Sequence, residues 1–294
     1  MPKANSNGIE IEYETFGARE ASPLVLVMGL GAQMIFWDEA FCGMLADRGH
    51  YVVRFDNRDC GLSTKLEDRG VPDVQAAWAA AMEGKPVEAP YTVDDMADDT
   101  VGLLDALELE TAHFVGASMG GMIVQTLGWR HRDRVKSLTS IMSTTGDPSL
   151  PTGTPEALAV LFRPPAKSKE EFTANSLESW KVIGGKGFPP DEARIRERSE
   201  RSWDRCYTPT GIARQLVGVL AQGNRRPLLE KLDVPFLVIH GTDDPLVPQT
   251  GGEDTAAAVP GASLVLIEGM GHDLPRGAWP TLVDAISKHT EAAS

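Results

Sequence analysis

Basic residues are scarce in this chain. It carries 28 Lys and Arg against 42 Asp and Glu, a formal net charge of −14 over 294 residues. Such an excess repels phosphates, so nucleic acid and anionic lipid surfaces are poor partners for it. Cysteine is scarce too. Cys42, Cys60 and Cys206 are odd in number and widely spaced. They read as free thiols in a reducing compartment, not as a disulfide framework or a metal site. No Cys/His cluster has metal-ligand spacing. No apolar run approaches the roughly 18 residues of a membrane span. The opening residues, MPKANSNGIEIEYE, hold no apolar stretch of the kind a secretory signal needs. A soluble cytoplasmic protein is the expectation. A phosphate-binding loop is missing as well: the first buried strand ends in GLGAQ, with no Lys-Ser/Thr behind it. There is no internal repeat or low-complexity tract.

What is present is an ordinary globular composition, 42% hydrophobic, enough for one large domain or two smaller ones. Ile9 to Phe16 alternates apolar with polar residues and suits an edge strand. Pro23 to Met28 and Tyr51 to Phe55 are short apolar runs that read as strands buried on both faces. Asp38 to Asp47 and the stretch opened by Thr92, with Asp95 three residues on, read as helices. Ala112 to Val115, Val135 to Met142, Pro235 to His240 and Ser263 to Ile267 are further strands, and Pro280 to His289 a closing helix. Strands alternating with helices imply a parallel sheet covered on both faces. Two segments interrupt the alternation. Lys65 to Pro90 holds an Ala-rich helix, Val74 to Met82. Residues 147–232 begin with DPSLPTGTP and carry four helical patterns and no convincing strand. The expected division is a core of residues 1–146 and 233–294 with a helical cap, 147–232, over the carboxyl edge of the sheet.

The organising stretch is TAHFVGASMGGMIVQTLGWR, Thr111 to Arg130. A buried strand turns at once into a helix through Gly116-Ala117-Ser118-Met119-Gly120, a G-x-S-x-G pattern. The glycines two before and two after the serine remove side chains that would collide in so sharp a turn. The hydroxyl of Ser118 is then held out at the carboxyl end of the strand. The alternative, a Gly-rich helix start with a capping serine, leaves the preceding strand unexplained.

At these residues the chain resembles the α/β-hydrolase superfamily, with Ser118 at the position of its nucleophile. The resemblance runs over nearly the whole chain and implies a mostly parallel sheet flanked by helices, with a cap after the sixth strand. In that superfamily the order is serine, acid, histidine. The acid follows the strand after the cap in a pattern like G-x-x-D-x-x-x-P. Gly241-Thr242-Asp243-Asp244-Pro245-Leu246-Val247-Pro248 places it at Asp244, with Asp243 as the neighbour to be told apart and Asp147 as the less common position. The histidine lies just past the last strand, at Gly269-Met270-Gly271-His272. Of the others, His50, His113, His131 and His289 read as surface or capping residues, and His240 as a packing residue at a strand end.

The resemblance also implies an oxyanion hole made by the backbone N–H groups of Leu30 and Met119. Family members usually read His-Gly after the strand where this chain reads Met28-Gly29-Leu30, so the bracing of that loop differs. Asp56-Asn57-Arg58-Asp59-Cys60-Gly61-Leu62-Ser63 resembles the D-x-R-G-x-G-x-S loop, with Asp59 in place of its first glycine, and reads as structural, tied down by Asp56 and Arg58. Trp37, Phe162, Trp180 and Trp203 are candidates for lining a substrate pocket, against core packing as the commoner use of such rings. The absence of Asp at the nucleophile position disfavours the haloalkane dehalogenases and epoxide hydrolases. With GMGHDLP and FDNRDCGLST the chain looks like the group containing the aclacinomycin methylesterases. That implies a serine esterase acting on a small-molecule ester, with no cofactor and no metal. C–C bond, lactone or amide hydrolysis and perhydrolysis use the same residues. A ligand-binding protein that has lost the chemistry is a further alternative.

Overall fold

In the computed structural model, which describes residues 2–293, the chain starts with a hairpin that the sequence pattern hid. Strand β1, Lys3–Ser6, turns at Asn7-Gly8 into β2, Ile9–Phe16. Both turn residues have positive φ, the geometry that a tight hairpin demands and that Asn-Gly supplies. β2 is therefore not the edge strand expected of it: β1 covers it, and β1 forms the edge.

The chain then alternates. β3 is Ser22–Val27, α1 Glu39–Ala46, β4 His50–Phe55, α2 Val74–Met82, α3 Val93–Ala106, β5 Ala112–Ala117, α4 Met119–Arg130 and β6 Val135–Ile141. Five helices follow without a strand between them: α5 Pro155–Leu161, α6 Lys169–Ile183, α7 Glu192–Arg205, α8 Pro209–Gln222 and the short α9 Arg226–Leu229. The sheet resumes with β7 Phe236–Gly241, α10 Gln249–Ala258, β8 Ser263–Ile267 and α11 Trp279–Ala292. The strand order is β1-β2-β4-β3-β5-β6-β7-β8. β2 runs antiparallel to both its neighbours, and every other pairing is parallel.

β3 and β5 are continuous apolar runs because both of their faces are covered. Val25 and Phe114 point to one side, into a core shared with α3 and α4 through Leu104 and Ile123. Leu24, Leu26 and Val115 point to the other, onto Phe41 of α1 and Leu282 and Ile286 of α11. Burying rings and branched chains of this size stabilises by about 1.5–3 kcal/mol each. α3 begins with the capping box that Thr92 and Asp95 announce: the Thr92 amide donates to Asp95 Oδ2 at 2.8 Å. Among the described residues no helix is long and apolar enough to cross a membrane.

Because β3, β5, β7 and β8 are parallel, their carboxyl ends share one edge of the sheet. The loops carrying Leu30, Ser118, Asp244 and His272 all leave from that edge. It is the edge at which parallel sheets gather their ligands.

Candidate active site

β5 stops at Ala117 and α4 starts at Met119, so Ser118 alone makes the turn, at φ 57° and ψ −119°. A serine with positive φ is strained by roughly 1–3 kcal/mol and persists only where its surroundings hold it. The Ser118 amide donates to Ile141 O at 2.9 Å, which keeps the residue pinned to β6. The flanking glycines are needed for room. A Cβ on Gly116 would collide with the Gly120 carbonyl oxygen, and one on Gly120 with the carbonyl oxygen of Val27 at the end of β3.

The structure brings Ser118, His272 and Asp244 together. Ser118 Oγ lies 3.0 Å from His272 Nε2, and His272 Nδ1 lies 2.8 Å from Asp244 Oδ2. A carboxylate only accepts hydrogen bonds, so Nδ1 carries the ring hydrogen and Nε2 is left to accept from the serine hydroxyl. Asp244 Oδ1 accepts from the amides of Leu246 and Val247, at 2.9 Å each. Burial alone pushes this carboxyl up. The charge of His272 and hydrogen bonds from His240 and His272 outweigh it and hold the group down at about 2. Asp243 faces elsewhere, accepting from the Lys186 amide at 3.3 Å. Asp147 is spent on Ser149, accepting from its amide and its hydroxyl.

His240 does more than pack. Its Nε2 bonds to Val247 O at 2.9 Å and lies 3.6 Å from Asp244 Oδ2, with both side chains wholly buried. His50 and His113 are not surface residues. They are 4% and 0% exposed and meet edge-on at 6.3 Å beneath the sheet, with His113 bonded to Ser137 and His50 to Thr290. His131 is the C-cap of α4, its amide donating to Leu127 O at 2.9 Å, and its ring bonds Asp98, while His289 bonds Leu138 O.

The glycines of the His272 loop are needed for room. A Cβ on Gly271 would collide with the Gly185 amide, and one on Gly185 with the Gly269 carbonyl. They admit the turn after α6, and the His272 amide donates to Ile183 O at 2.8 Å. The inserted helices therefore help to hold the histidine.

The amides of Leu30 and Met119 make no hydrogen bond with the described residues, and both residues line the cavity above Ser118. The bracing of the Leu30 loop is unusual. Asn57 donates to Met28 O at 2.9 Å, and Gln215 of α8 accepts from the Gly31 amide at 2.8 Å. Gln215 is wholly buried and donates at 2.7 Å to Arg58 O. Asp56 accepts from the Met34 amide and from Arg205 of α7. Arg58 pairs with Asp99 of α3. Asp59 sits at φ 63°, where a glycine is easiest, and its carboxylate takes two 2.8 Å bonds from Arg214 of α8. The loop read as structural is a socket for arginines from the inserted helices.

The cavity over Ser118 measures about 330 Å³. Met122 and Met142 of the core and Leu158, Trp180 and Leu216 of the inserted helices line it. No Lys, Arg, Asp or Glu is among its lining residues. Of the four aromatic candidates, Trp180 is in this wall. Trp37 is 0% exposed and stacks on Phe41 at 5.7 Å, behind the sheet. Phe162 meets Trp78 edge-on at 5.1 Å. Trp203 stacks on Tyr207 at 4.8 Å, between α6 and α7. These three are corrected to packing roles, because each finds an aromatic partner on a neighbouring element. Phe36, Met122 and Leu216 were not foreseen, since an apolar side chain facing a cavity and one facing a core look alike in sequence.

Comparison with known proteins identifies the fold family. A family described as the alpha/beta hydrolase fold matches residues 22–275. Rhodomycin D methylesterase DauP of Streptomyces sp. (strain C5) is 29% identical over 302 aligned residues, covering 96% of this chain and 95% of that one. 3-Oxoadipate enol-lactonase 2 of Acinetobacter baylyi is 25% identical over 260, covering 88% and 85%. Among solved structures, a thermophilic esterase from Thermogutta terrifontis superposes with a TM-score of 0.74 at 22% identity, covering 99% of this chain and 98% of that one. A meta-cleavage product hydrolase from Pseudomonas fluorescens IP01 gives 0.76 at 18% identity, covering 100% and 98%.

Proposed function

The chain belongs to the alpha/beta hydrolase fold family, and from that premise we propose that it is a serine esterase whose nucleophile is Ser118. The observation that carries the reading is the relay of 3.0 and 2.8 Å from a strained serine through His272 to a buried Asp244, at the floor of an apolar cavity. Serine is a poor nucleophile at neutral pH and needs a base and a group that orients the base. His272 Nε2 takes the hydroxyl proton as Ser118 Oγ attacks the ester carbonyl. Asp244 fixes the ring and stabilises the imidazolium that forms. The negative oxygen of the tetrahedral intermediate is received by the Leu30 and Met119 amides, each such donor contributing about 10²- to 10³-fold in rate. His272 then gives its proton to the departing alkoxide. Water, deprotonated by the same nitrogen, releases the acid from Ser118.

The methylesterase relatives support ester cleavage over the other reactions of the same relay. The cavity, with no Lys, Arg, Asp or Glu in its lining, suits a neutral, apolar acid portion and offers a carboxylate no counter-charge. We read residues 147–232 as the cap that shapes this cavity, since Leu158, Trp180 and Leu216 lie within it. The free thiols Cys42, Cys60 and Cys206 suit a reducing, cytoplasmic setting. A fluorophosphonate probe followed by mass spectrometry tests the assignment. The adduct is expected on Ser118 and absent in Ser118→Ala. Equal labelling of that variant would overturn it.

A further inference from the structure

His240 is a buried titratable group that the Ser118–His272–Asp244 relay does not use. It stands next to the last residue of β7, and its ring and the Asp244 side chain are both 0% exposed. Its Nε2 lies 2.9 Å from Val247 O. A carbonyl only accepts, so Nε2 carries the ring hydrogen and Nδ1 is bare. Nδ1 is buried and has no hydrogen-bond partner among the described residues. Helix α10 closes over it: a Cβ on Gly252 would collide with that nitrogen. A buried polar atom without a partner is costly, and an apolar side chain of similar size would avoid the cost. The reason for an imidazole therefore lies in the hydrogen on its other nitrogen.

That hydrogen meets the acid loop at Val247, which is held from two sides. The Val247 amide donates to Asp244 Oδ1 at 2.9 Å, and its carbonyl accepts from His240. Asp244 and His240 thus grip the same residue. Nε2 also stands 3.6 Å from Asp244 Oδ2, the oxygen that faces His272. At that distance the N–H makes no second strong hydrogen bond, but its positive hydrogen lies beside the carboxylate. Burial pushes the Asp244 carboxyl up, and the charge of His272, followed by His240, brings it down to about 2.

We propose that His240 is a positioning residue for the reaction: by holding the Val247 carbonyl, its Nε2–H fixes the Asp244 carboxylate in the orientation that keeps the hydrogen of His272 on Nδ1. This rests on the esterase reading and adds a residue to it. His240 is not among the residues lining the cavity over Ser118, so what it contributes passes through Asp244.

The test is a cycle of variants, read as kcat and KM for a p-nitrophenyl ester. His240→Leu is expected to lower kcat by about 10- to 100-fold with little change in KM, the scale of a misoriented group. His240→Gln, whose amide nitrogen donates from the place of Nε2, should recover most of that loss. His240→Asn, whose shorter amide reaches only the place of Nδ1, should behave like His240→Leu, and it keeps the comparison if the apolar variant does not fold. In the Asp244→Asn background, His240→Leu should change kcat by less than about twofold, because the group it positions is gone. Wild-type kcat in His240→Leu and His240→Asn overturns the proposal, as does His240→Gln no faster than His240→Asn. A full fall in kcat in the Asp244→Asn background overturns it too, since the ring would then only brace the loop. Ester hydrolysis by Ser118→Ala at the wild-type rate overturns the esterase reading itself. A dead Ser118→Ala beside fully active His240 variants leaves that reading standing and removes only the role of His240.

Discussion

Replacing Asp59 by glycine isolates what ties the inserted helices to the sheet. The backbone there has φ 63°, which glycine adopts freely, so the substitution removes a carboxylate without adding strain. What remains is Arg214, 0% exposed, which has lost both of its 2.8 Å bonds to Asp59. Tyr91 and the Leu66 amide lose an acceptor at the same time. Breaking a buried pair from one side costs about 3–5 kcal/mol. Glu67 Oε1 stands 3.4 Å from Arg214 and is partly exposed, so it offers a weak substitute. The lower end of the range, about 3 kcal/mol, is therefore expected. Unfolding entropy of about 2.1 cal/mol/K per residue gives about 0.6 kcal/mol/K for a chain of this length, and hence a fall in Tm of about 5 °C. Scanning calorimetry measures it. The companion Asp59→Gly/Arg214→Met removes the stranded charge as well and should recover most of the loss. A double variant no more stable than the single one would refute the reasoning, as would a single variant whose Tm matches that of the wild-type protein.

Three further outcomes follow from the geometry. Asp244→Asn should leave melting intact and lower kcat by up to about 10⁴-fold, because the wrong imidazole tautomer is favoured, while Asp243→Asn, whose carboxylate accepts from the Lys186 amide and the Thr242 hydroxyl and not from His272, should cost far less. Steady-state rates decide this, and a dead Asp243 variant would refute it. Gln215→Met should lower kcat about tenfold with little change in KM, since it frees the Gly31 amide beside Leu30. A change in KM alone would show that the residue only shapes the cavity. Burial, with Lys136 and two other histidines adding to it, holds His113 at about 3 against an ordinary 6.5. Its folded pKa is depressed, so the unfolded chain binds the extra proton. Stability is complete above the ordinary value and is lost as pH falls from there towards the folded one. At about pH 5 the loss from this residue is on the order of 1–2 kcal/mol, allowing for solvent screening. His113→Asn should flatten the dependence of Tm on pH between neutrality and that point. An unchanged slope would place the acid sensitivity elsewhere.

The fold was legible wherever local pattern and tertiary demand agreed. β3 and β5 are apolar throughout because they are covered twice, and Val74–Met82 formed its helix where the alanines indicate. β1 was not legible, since its two buried positions, Ala4 and Ser6, are too small or polar to mark a strand. α10 was hidden by adjacent glycines that lie close against Thr144 and His240. At the site, the G-x-S-x-G turn and the loops after β7 and β8 drew attention to Ser118, Asp244 and His272. Gln215, Arg205 and Arg214 could not be found in the same way. Their partners Gly31, Asp56 and Asp59 lie about 150 residues or more away along the chain, and only the closed fold pairs them. The aromatic residues divided for a similar reason: neighbouring helices decide which face of a ring is covered.

The crowding around the serine turn bears on how such a chain can drift over generations. Gly116 and Gly120 carry no functional group, yet a single methyl at either would press β5, α4 and the end of β3 apart. Those positions are as closed to change as the serine itself. The inserted helices meet the sheet edge through a few polar anchors and a lining of interchangeable aliphatic side chains. New substrate preferences can therefore accumulate in α5 to α8 while Gln215, Arg205 and Arg214 stay fixed. The architecture divides the sequence into a part that is locked by contact and a part that is free to explore.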